Sequence, residues 1–508
     1  MQLLPILLIA VILAADAGLS FFKDPLIHSN GITATAVILP MLIILLVQWI
    51  VTKASLRRLK AGKSLRPIIT VERMSNTARI LLLLLHAASV LGLDWLNVVR
   101  SMIGDVILLD ELLTMLPALG CIFGTWWLQY PMEQRVREAL IIRRLDEGRP
   151  IYPMPSRQRY VWRQAQLQLF LLLVPILIIV GLSEIIDDLV VMYVHEDRAE
   201  FVGQLATLAA GITVFLFAPL LMKWLLSTVR MASGELRDDL MEICRRHRVR
   251  VRELLVWKTD GTMINAAVMG LIGPLRFVLI TDALLESMKS DEVRAVMAHE
   301  IGHVRRHHMP WLVASLIAIL LLTDYAIIAP LIWLQPDLLA ESTSGAKWID
   351  LSLSVVILII LAAGFGWVSR RFERQADTFA AQHLSGMGQI TPGAEPEVIT
   401  PDAVGSIRSA LNSICRLNSI NLRRRSWRHG SIAWRMEYLD SIVGRPIRAL
   451  PIDRQIRRIK LATSICLISI VGYESYRYWT YDPGEERSSV IPHELLHMTN
   501  TPIPSAEP

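Results

Sequence analysis

The chain of 508 residues is short of charge and of cysteine. Charged residues make up 19% of it and hydrophobic ones 53%, where a soluble globular chain averages about 25% charged and about 45–50% apolar. With a mean hydropathy of +0.44, this excludes a disordered chain or a coiled coil and points to a membrane. Four cysteines are too few and too scattered for a secreted disulfide scaffold. Cys121 and Cys466 lie in apolar runs and Cys244 and Cys415 in polar ones, so all four read as reduced and unpaired. The sequence has no glycine-rich phosphate loop, no nucleophile motif and no internal repeat. Its only low-complexity tract is the tail 481–508, which reads as disordered. No positive charge precedes the first apolar run, which is therefore read as a helix and not as a signal peptide.

Present instead are long apolar runs. A spanning helix needs about 20 mostly apolar residues, because about 30 Å of hydrocarbon is crossed at about 1.5 Å per residue. Runs 3–21, 32–51, 80–99, 112–129, 167–182, 201–222, 310–334 and 351–369 meet that length. A ninth, 461–473, is short and ends at Glu474 and Arg477; it reads either as a half-buried helix or as a snorkelling span. Segments 52–79 and 130–166 are rich in arginine and lysine, whereas 100–111 and 184–200 are acidic. The positive-inside rule puts 52–79, 130–166, 223–309 and 370–460 on the cytoplasmic side, and every loop obeys one alternation if the N-terminus is inside. The net charge of +6 is then a matter of loop placement, and no nucleic-acid partner is implied.

Two polar blocks are long enough to fold at the membrane face. In 223–309, stretches 249–259, 262–269 and 275–281 are β-rich and are separated by the turn signals Asp260-Gly261 and Gly270/Gly273, which predicts a three-stranded meander. A helix follows over 290–309, with Ser290 as its cap and Asp291 and Glu292 in its first turn, where the dipole favours negative charge. In 370–460, residues 370–384, 405–420 and 432–444 read as helices, 385–404 as a Gly/Pro-rich loop, and Arg423–Arg428 as a basic face at solvent or lipid headgroups.

One motif carries chemistry. Residues 298–308 read AHEIGHVRRHH. His299 and His303 are four apart on a predicted helix, so both imidazoles project from one face about one turn apart. That spacing suits two neutral nitrogens on one Zn²⁺, with Glu300 between them placed to take a proton from an attacking water. By chance the pattern arises about once in a hundred chains of this composition. A catalytic zinc needs a third protein ligand. Met309 stands where a third histidine of the longer zinc motif would be, and His307 and His308 read as structural or headgroup-facing. Glu373, in SRRFERQADTFA at 369–380, fits instead. Span 310–334 leaves the cytoplasmic face and 351–369 returns to it, so Glu373 re-enters at the height of the histidine pair. Asp377, four residues on, shares its helix face and can hold a ligand imidazole by its other nitrogen.

These residues together resemble the integral-membrane zinc endopeptidases that include the CAAX prenyl endopeptidase and the bacterial heat-shock membrane protease. The likeness runs from about 250 to 445: a strand and helix leading to HEIGH, a two-span hairpin, and an E-x-x-x-D helix. The resemblance implies one Zn²⁺ per chain held by His299, His303 and Glu373, with Glu300 as general base. It implies that Asn265, Ala266 and Ala267 form an edge strand able to pair with an extended substrate. It also implies that His429 and Arg435, in HGSIAWR, lie at the substrate side, with Gly430 where the family usually has proline.

The fold expected is mostly α: a polytopic membrane protein of eight or nine spans with a small α+β zinc-protease domain on the cytoplasmic face. The expected parts are a six-span region 1–226, the β-meander and zinc helix 227–309, the hairpin 310–369, a helical part with the third ligand 370–460, and a last span and tail 461–508. The expected function is zinc-dependent cleavage of membrane-associated or misfolded proteins, or of lipidated C-termini, with peptide substrate and lipid bilayer as partners. A sensor-type membrane metalloprotease is a second reading, opposed by the lack of a sizeable extracytoplasmic domain after the last span. A non-catalytic scaffold is a third, opposed by the intact Glu300. Asp324 inside span 310–334 either faces a wet chamber or bonds a neighbouring helix.

Overall fold

Apolar runs interrupted by few helix breakers become long helices. A computed structural model describes residues 4–480 apart from 17, 19, 21–25, 61–65, 147, 149–150, 335–345, 388–397, 419 and 449. The tail 481–508 and the centre of the 385–404 loop lie outside the described residues. The chain divides into two compact units, Met1–Met297 and Ala298–Pro508.

The first unit opens with α1 (Leu4–Asp16), α2 (Asn30–Lys60), α3 (Arg66–Gly92), α4 (Trp95–Ile103) and α5 (Leu109–Asp146). It continues with α6 (Arg157–Ala165), joined by a π-helical turn to α7 (Leu171–Tyr193), and α8 (Glu196–Leu225). Among the described residues of the whole chain, seven helices are long and apolar enough to cross a membrane, and α1 is a shorter apolar one. The chain is a polytopic helical membrane protein with a small sheet domain. Two expectations change. The basic stretch 52–79 is mostly helix, because α2 and α3 run past the apolar runs on either side of residues 61–65. The run 80–99 is not one helix: it breaks at Asp94, whose φ of 56° is left-handed, and α4 restarts there. Inside this bundle Arg79 is buried and satisfied, its Nε donating to Thr125 Oγ1 at 3.0 Å and Nη2 to Gln129 Oε1 at 2.7 Å.

The sheet domain follows as β1 (Thr228–Arg230), α9 (Glu235–Arg246), β2 (Glu253–Trp257), β3 (Ala266–Met269), β4 (Phe277–Thr281) and α10 (Asp282–Ser287). The sheet has four strands in the order β1-β2-β4-β3, not the three-stranded meander expected. β4 runs parallel to β2 and antiparallel to β3. The reason lies in burial. β4 is an unbroken apolar run, FVLIT, buried at every residue, and such a strand takes a central place, as parallel neighbours do. The Asp260-Gly261 turn therefore does not close a hairpin. It is held instead by α5 and α6: Arg144 Nη2 donates to Gly261 O at 3.0 Å, and Arg163 Nη2 meets Asp260 Oδ2 at 2.6 Å. β3 is left at the sheet edge.

Helix α11 (Ser290–Arg305) crosses from the first unit to the second. It starts with a reach-back contact, the Lys289 N–H donating to the Glu292 carboxylate at 3.2 Å, as in a capping box. The second unit then contains α12 (His308–Thr323), a π-helical turn Asp324–Ile328, α13 (Ala329–Leu334), α14 (Ala346–Leu384), α15 (Pro401–Leu417), α16 (Ile432–Asp440) and α17 (Pro451–Thr480). Asp324 begins the π-turn and is exposed. Span and ligand helix, expected as neighbours, are one continuous helix: α14 has 39 residues, about 58 Å long at the usual rise. α17 runs parallel to α12, with Thr463 against Ser315, Cys466 against Ala318 and Tyr473 against Tyr325. The 461–473 stretch thus accompanies a span in spite of its charged end. Val368, Phe372, Ile452 and Ile456 form a buried core with Trp311 and Tyr438, each such side chain worth roughly 1.5–3 kcal/mol on burial. All four cysteines are free.

Candidate metal centre

The centre is assembled by two helices. α11 brings His299, Glu300 and His303 on one face, and α14 brings Glu373 and Asp377 on consecutive turns. Gly302 lets them meet: a Cβ there would lie 3.1 Å from the Cβ of Phe379 and 3.2 Å from its Cγ. A side chain there would have to push Phe379 back by a few tenths of an ångström, so the glycine of the motif favours close packing of α11 on the turn of α14 that follows Asp377.

His299 Nε2 and His303 Nε2 lie 3.2 Å apart. Glu373 Oε2 is 3.7 Å from the first and Oε1 3.8 Å from the second. Zn²⁺ bonds of about 2.0–2.2 Å in tetrahedral array separate ligand atoms by about 3.3–3.5 Å, so the three donors fit that ion with small adjustment. They form a group able to hold a metal. Two imidazoles and a carboxylate are also a donor set that zinc favours.

Each donor is held from behind. His299 Nδ1 is 2.9 Å from Asp377 Oδ1, not aligned for an ideal hydrogen bond. Asp377 is fully buried and takes both prongs of Arg435, Nε to Oδ2 at 2.7 Å and Nη2 to Oδ1 at 2.6 Å. Arg435 Nη1 lies 3.3 Å from Glu373 Oε2. His429 Nδ1 lies 2.8 Å from Glu373 Oε1, and its ring is half exposed. Burial pushes the His303 pKa down to about 4, which keeps the ring neutral near pH 7. Burial acts the same way on His299, but the Asp377 carboxylate 2.9 Å from Nδ1 more than offsets it, and that pKa is raised. Burial opposes the charge of Arg435 too; Asp377, Glu373 and Glu300 outweigh it and hold the guanidinium firmly charged.

Residues 235–394 match the Peptidase family M48 description. Over that range the chain is similar to peptidase family M48. A protein named Protease HtpX homolog from Aeropyrum pernix is 26% identical over 187 residues, 36% of this chain and 57% of its own length. A Protease HtpX from Pseudomonas fluorescens is 36% identical over 118 residues, 22% of this chain and 39% of its own. A CAAX prenyl protease 1 homolog from Arabidopsis thaliana is 26% identical over 177 residues, 33% of this chain and 40% of its own. The chain spans about half the length of the curated relatives it matches. The crystal structure of S. mikatae Ste24p is similar at a TM-score of 0.44 and 15% identity, over 80% of this chain and 99% of that one. The likeness to integral-membrane endopeptidases drawn from the motifs agrees with the M48 match.

The range similar to M48 includes His299, Glu300, His303, Glu373 and Asp377. His429 and Arg435 lie beyond its matched range, yet the fold brings both to it. Two features place them. Arg370, one turn before Glu373, donates from Nη1 to Trp427 O at 2.7 Å. Ser426 and Gly430 exchange backbone hydrogen bonds of 3.2 and 2.9 Å, with Gly430 at φ 74°. Proline could supply neither that φ nor the N–H, which accounts for the glycine. Ser431 then caps α16 by accepting from Trp434 N, and Arg435 follows on its first turn. Arg435, expected at the substrate side, is instead buried on the two carboxylates. Asn265, Ala266 and Ala267 belong to the other unit. There Asn265 is exposed and bonds Thr281, and Ala266–Ala267 sit in the edge strand β3.

One contact escaped the sequence reading. His308, expected as structural or headgroup-facing, is buried, stacked on Phe372 with centroids 4.5 Å apart, and its Nδ1 is 2.9 Å from His303 Nδ1. Its spacing of five from His303 gives no common helix face. The left-handed backbone at His307, φ 57°, turns it back.

Proposed function

We propose that the chain is a zinc-dependent membrane endopeptidase acting on membrane-associated or misfolded proteins at the cytoplasmic face. The observation that carries this reading is the convergence of one ligand atom each from His299, His303 and Glu373 to within 4.8 Å of one another, with Glu300 on the same helix. The M48 match and the protease names of the relatives support it. The basic segments 52–79 and 130–166 support the orientation. In this reading residues 1–226 anchor the enzyme in the bilayer, 227–309 supply the sheet and zinc helix, 310–369 the hairpin, 370–460 the third ligand, and 461–508 a last membrane helix and tail.

His299, His303 and Glu373 would hold one Zn²⁺ per chain. When bound, that ion supplies Lewis acidity for the scissile carbonyl and makes water a better nucleophile. Glu300 takes the proton from the attacking water as the C–O bond forms, and returns it to the amine nitrogen as the C–N bond breaks. Asp377 keeps the Nδ1 proton of His299 turned away from the centre, so that Nε2 presents its lone pair. Arg435 fixes Asp377 and Glu373, and we assign it that anchoring role in place of the oxyanion contact. His429, half exposed beside Glu373, faces the substrate side. Asn265 to Ala267 would receive an extended peptide as an added strand, since an edge strand offers unpaired backbone groups.

The test is a protease assay on detergent-purified protein with an unfolded membrane-protein substrate. Wild type should cleave, Glu300→Gln should keep zinc and lose cleavage, and chelation should stop wild type. Cleavage by Glu300→Gln at the wild-type rate would refute the general-base role.

A further inference from the structure

Behind His303 lies a chain of side chains that the proposed reaction does not use. His303 Nδ1 is 2.9 Å from His308 Nδ1, and His308 Nε2 is 2.9 Å from Gln375 Oε1. Gln375 Nε2 in turn donates to Asp453 Oδ1 at 2.6 Å. The residues come from α11, α12, α14 and α17. His308 and Gln375 are buried, and Arg306 Nη2 lies 3.7 Å from Asp453 Oδ1.

Proton positions along this chain follow from its far end. An ionised carboxylate only accepts, so the amide group facing Asp453 must be the Gln375 NH₂. The Gln375 carbonyl oxygen then faces His308 and also only accepts, so the proton of neutral His308 is on Nε2. His308 Nδ1 is left as a lone pair and accepts from His303 Nδ1–H. A neutral His303 with its proton on Nδ1 has its lone pair on Nε2, the nitrogen 3.2 Å from His299 Nε2 and 3.8 Å from Glu373 Oε1. For a neutral His308 each step follows from the one before it.

We propose that His308, Gln375 and Asp453 are positioning residues that fix the tautomer and ring orientation of His303, so that Nε2 is presented to a metal before the metal arrives. His299 is held by a carboxylate directly. Among the described residues His303 Nδ1 faces His308 and not a carboxylate, and it takes its direction from Asp453 through two neutral groups. The same bonds tie α17 to the centre: shifting α17 would release Gln375 and free the His303 ring.

This inference rests on the zinc reading and is tested apart from it. Zinc affinity of full-length, detergent-purified protein is read by competition with a chromophoric chelator, with the melting temperature of the metal-free protein as a folding control. His308→Phe keeps the stack on Phe372 but breaks the chain, and Gln375→Met breaks it one link further off without touching a metal ligand. Each should weaken zinc binding about 10–100-fold, the usual effect of losing a group that orients a ligand. His308→Gln, which retains a donor and an acceptor, should recover most of the loss. The His308→Phe/Gln375→Met double variant should lose little more than either single one, because one break already disconnects the chain. If His308→Phe misfolds, Gln375→Met decides. Wild-type protein that binds no zinc would overturn the proposed function. Wild type that binds zinc while Gln375→Met binds it equally tightly would overturn the relay alone.

Discussion

Replacing Arg435 by Met tests the electrostatics of the centre most sharply. The guanidinium is buried, bidentate on a fully buried Asp377 and 3.3 Å from Glu373. At an effective dielectric constant of about 20, the attraction to Glu373 alone is about 5 kcal/mol before desolvation is subtracted. Removing one partner of a buried ion pair costs about 3–5 kcal/mol, because the remaining charge stays buried and uncompensated. Here two carboxylates would be stranded. For a unit of about 200 residues this corresponds to a fall of about 6–20 °C in melting temperature, measurable by thermal shift in detergent. The sign of two comparisons is diagnostic. The fall should be larger for metal-free than for zinc-loaded protein, since a divalent cation offsets the stranded charge. The Arg435→Met/Asp377→Asn double variant should be less destabilised than the sum of the single ones, with a coupling of about 0.5–3 kcal/mol. A loss below about 1 kcal/mol for Arg435→Met, or strict additivity, would refute the argument that these charges are desolvated and coupled.

Other outcomes follow from single contacts. Gly302→Val should drive α11 off Phe379 and lower zinc occupancy, read by elemental analysis; full occupancy would mean that the helices tolerate separation there. Gly430→Pro, which would restore the proline of the resemblance, should cost more than about 1 kcal/mol, because it removes an N–H donor and cannot adopt φ 74°; a melting temperature equal to wild type would show that the turn is not required. Reporter fusions at about residue 240 and about residue 195 should report cytoplasm and exterior respectively, and the reverse would overturn the orientation.

Much of the centre was legible from sequence because it rests on local periodicity. His299 and His303 declare themselves by a spacing of four, and Glu373 and Asp377 by the same spacing at the return of a hairpin. The edge position of Ala266 and Ala267 also agrees with the reading, though the strand order does not. A parallel β2–β4 pair is a non-local choice made by burial of Phe277–Thr281, which turn signals do not encode. Helix ends depart from the apolar runs where polar residues continue a helix beyond them, as at 52–79. His308 is buried, in keeping with a structural role, but its contact with His303 depends on one left-handed residue, His307, which spacing does not reveal. Gln375 and Asp453 carried no signal at all: their meeting requires α14 and α17, separated by about 78 positions in sequence, to pack side by side. Arg435 was found by resemblance, but its burial against two carboxylates is a property of the packed site.

The most direct measurement is the metal content of purified full-length protein, wild type beside Glu373→Ala. The account predicts one zinc per wild-type chain and loss of tight zinc binding in Glu373→Ala, with the metal-free variant still folded. Wild type devoid of zinc, or Glu373→Ala holding zinc as tightly as wild type, would contradict the claim that a carboxylate returned by α14 completes the centre begun by His299 and His303.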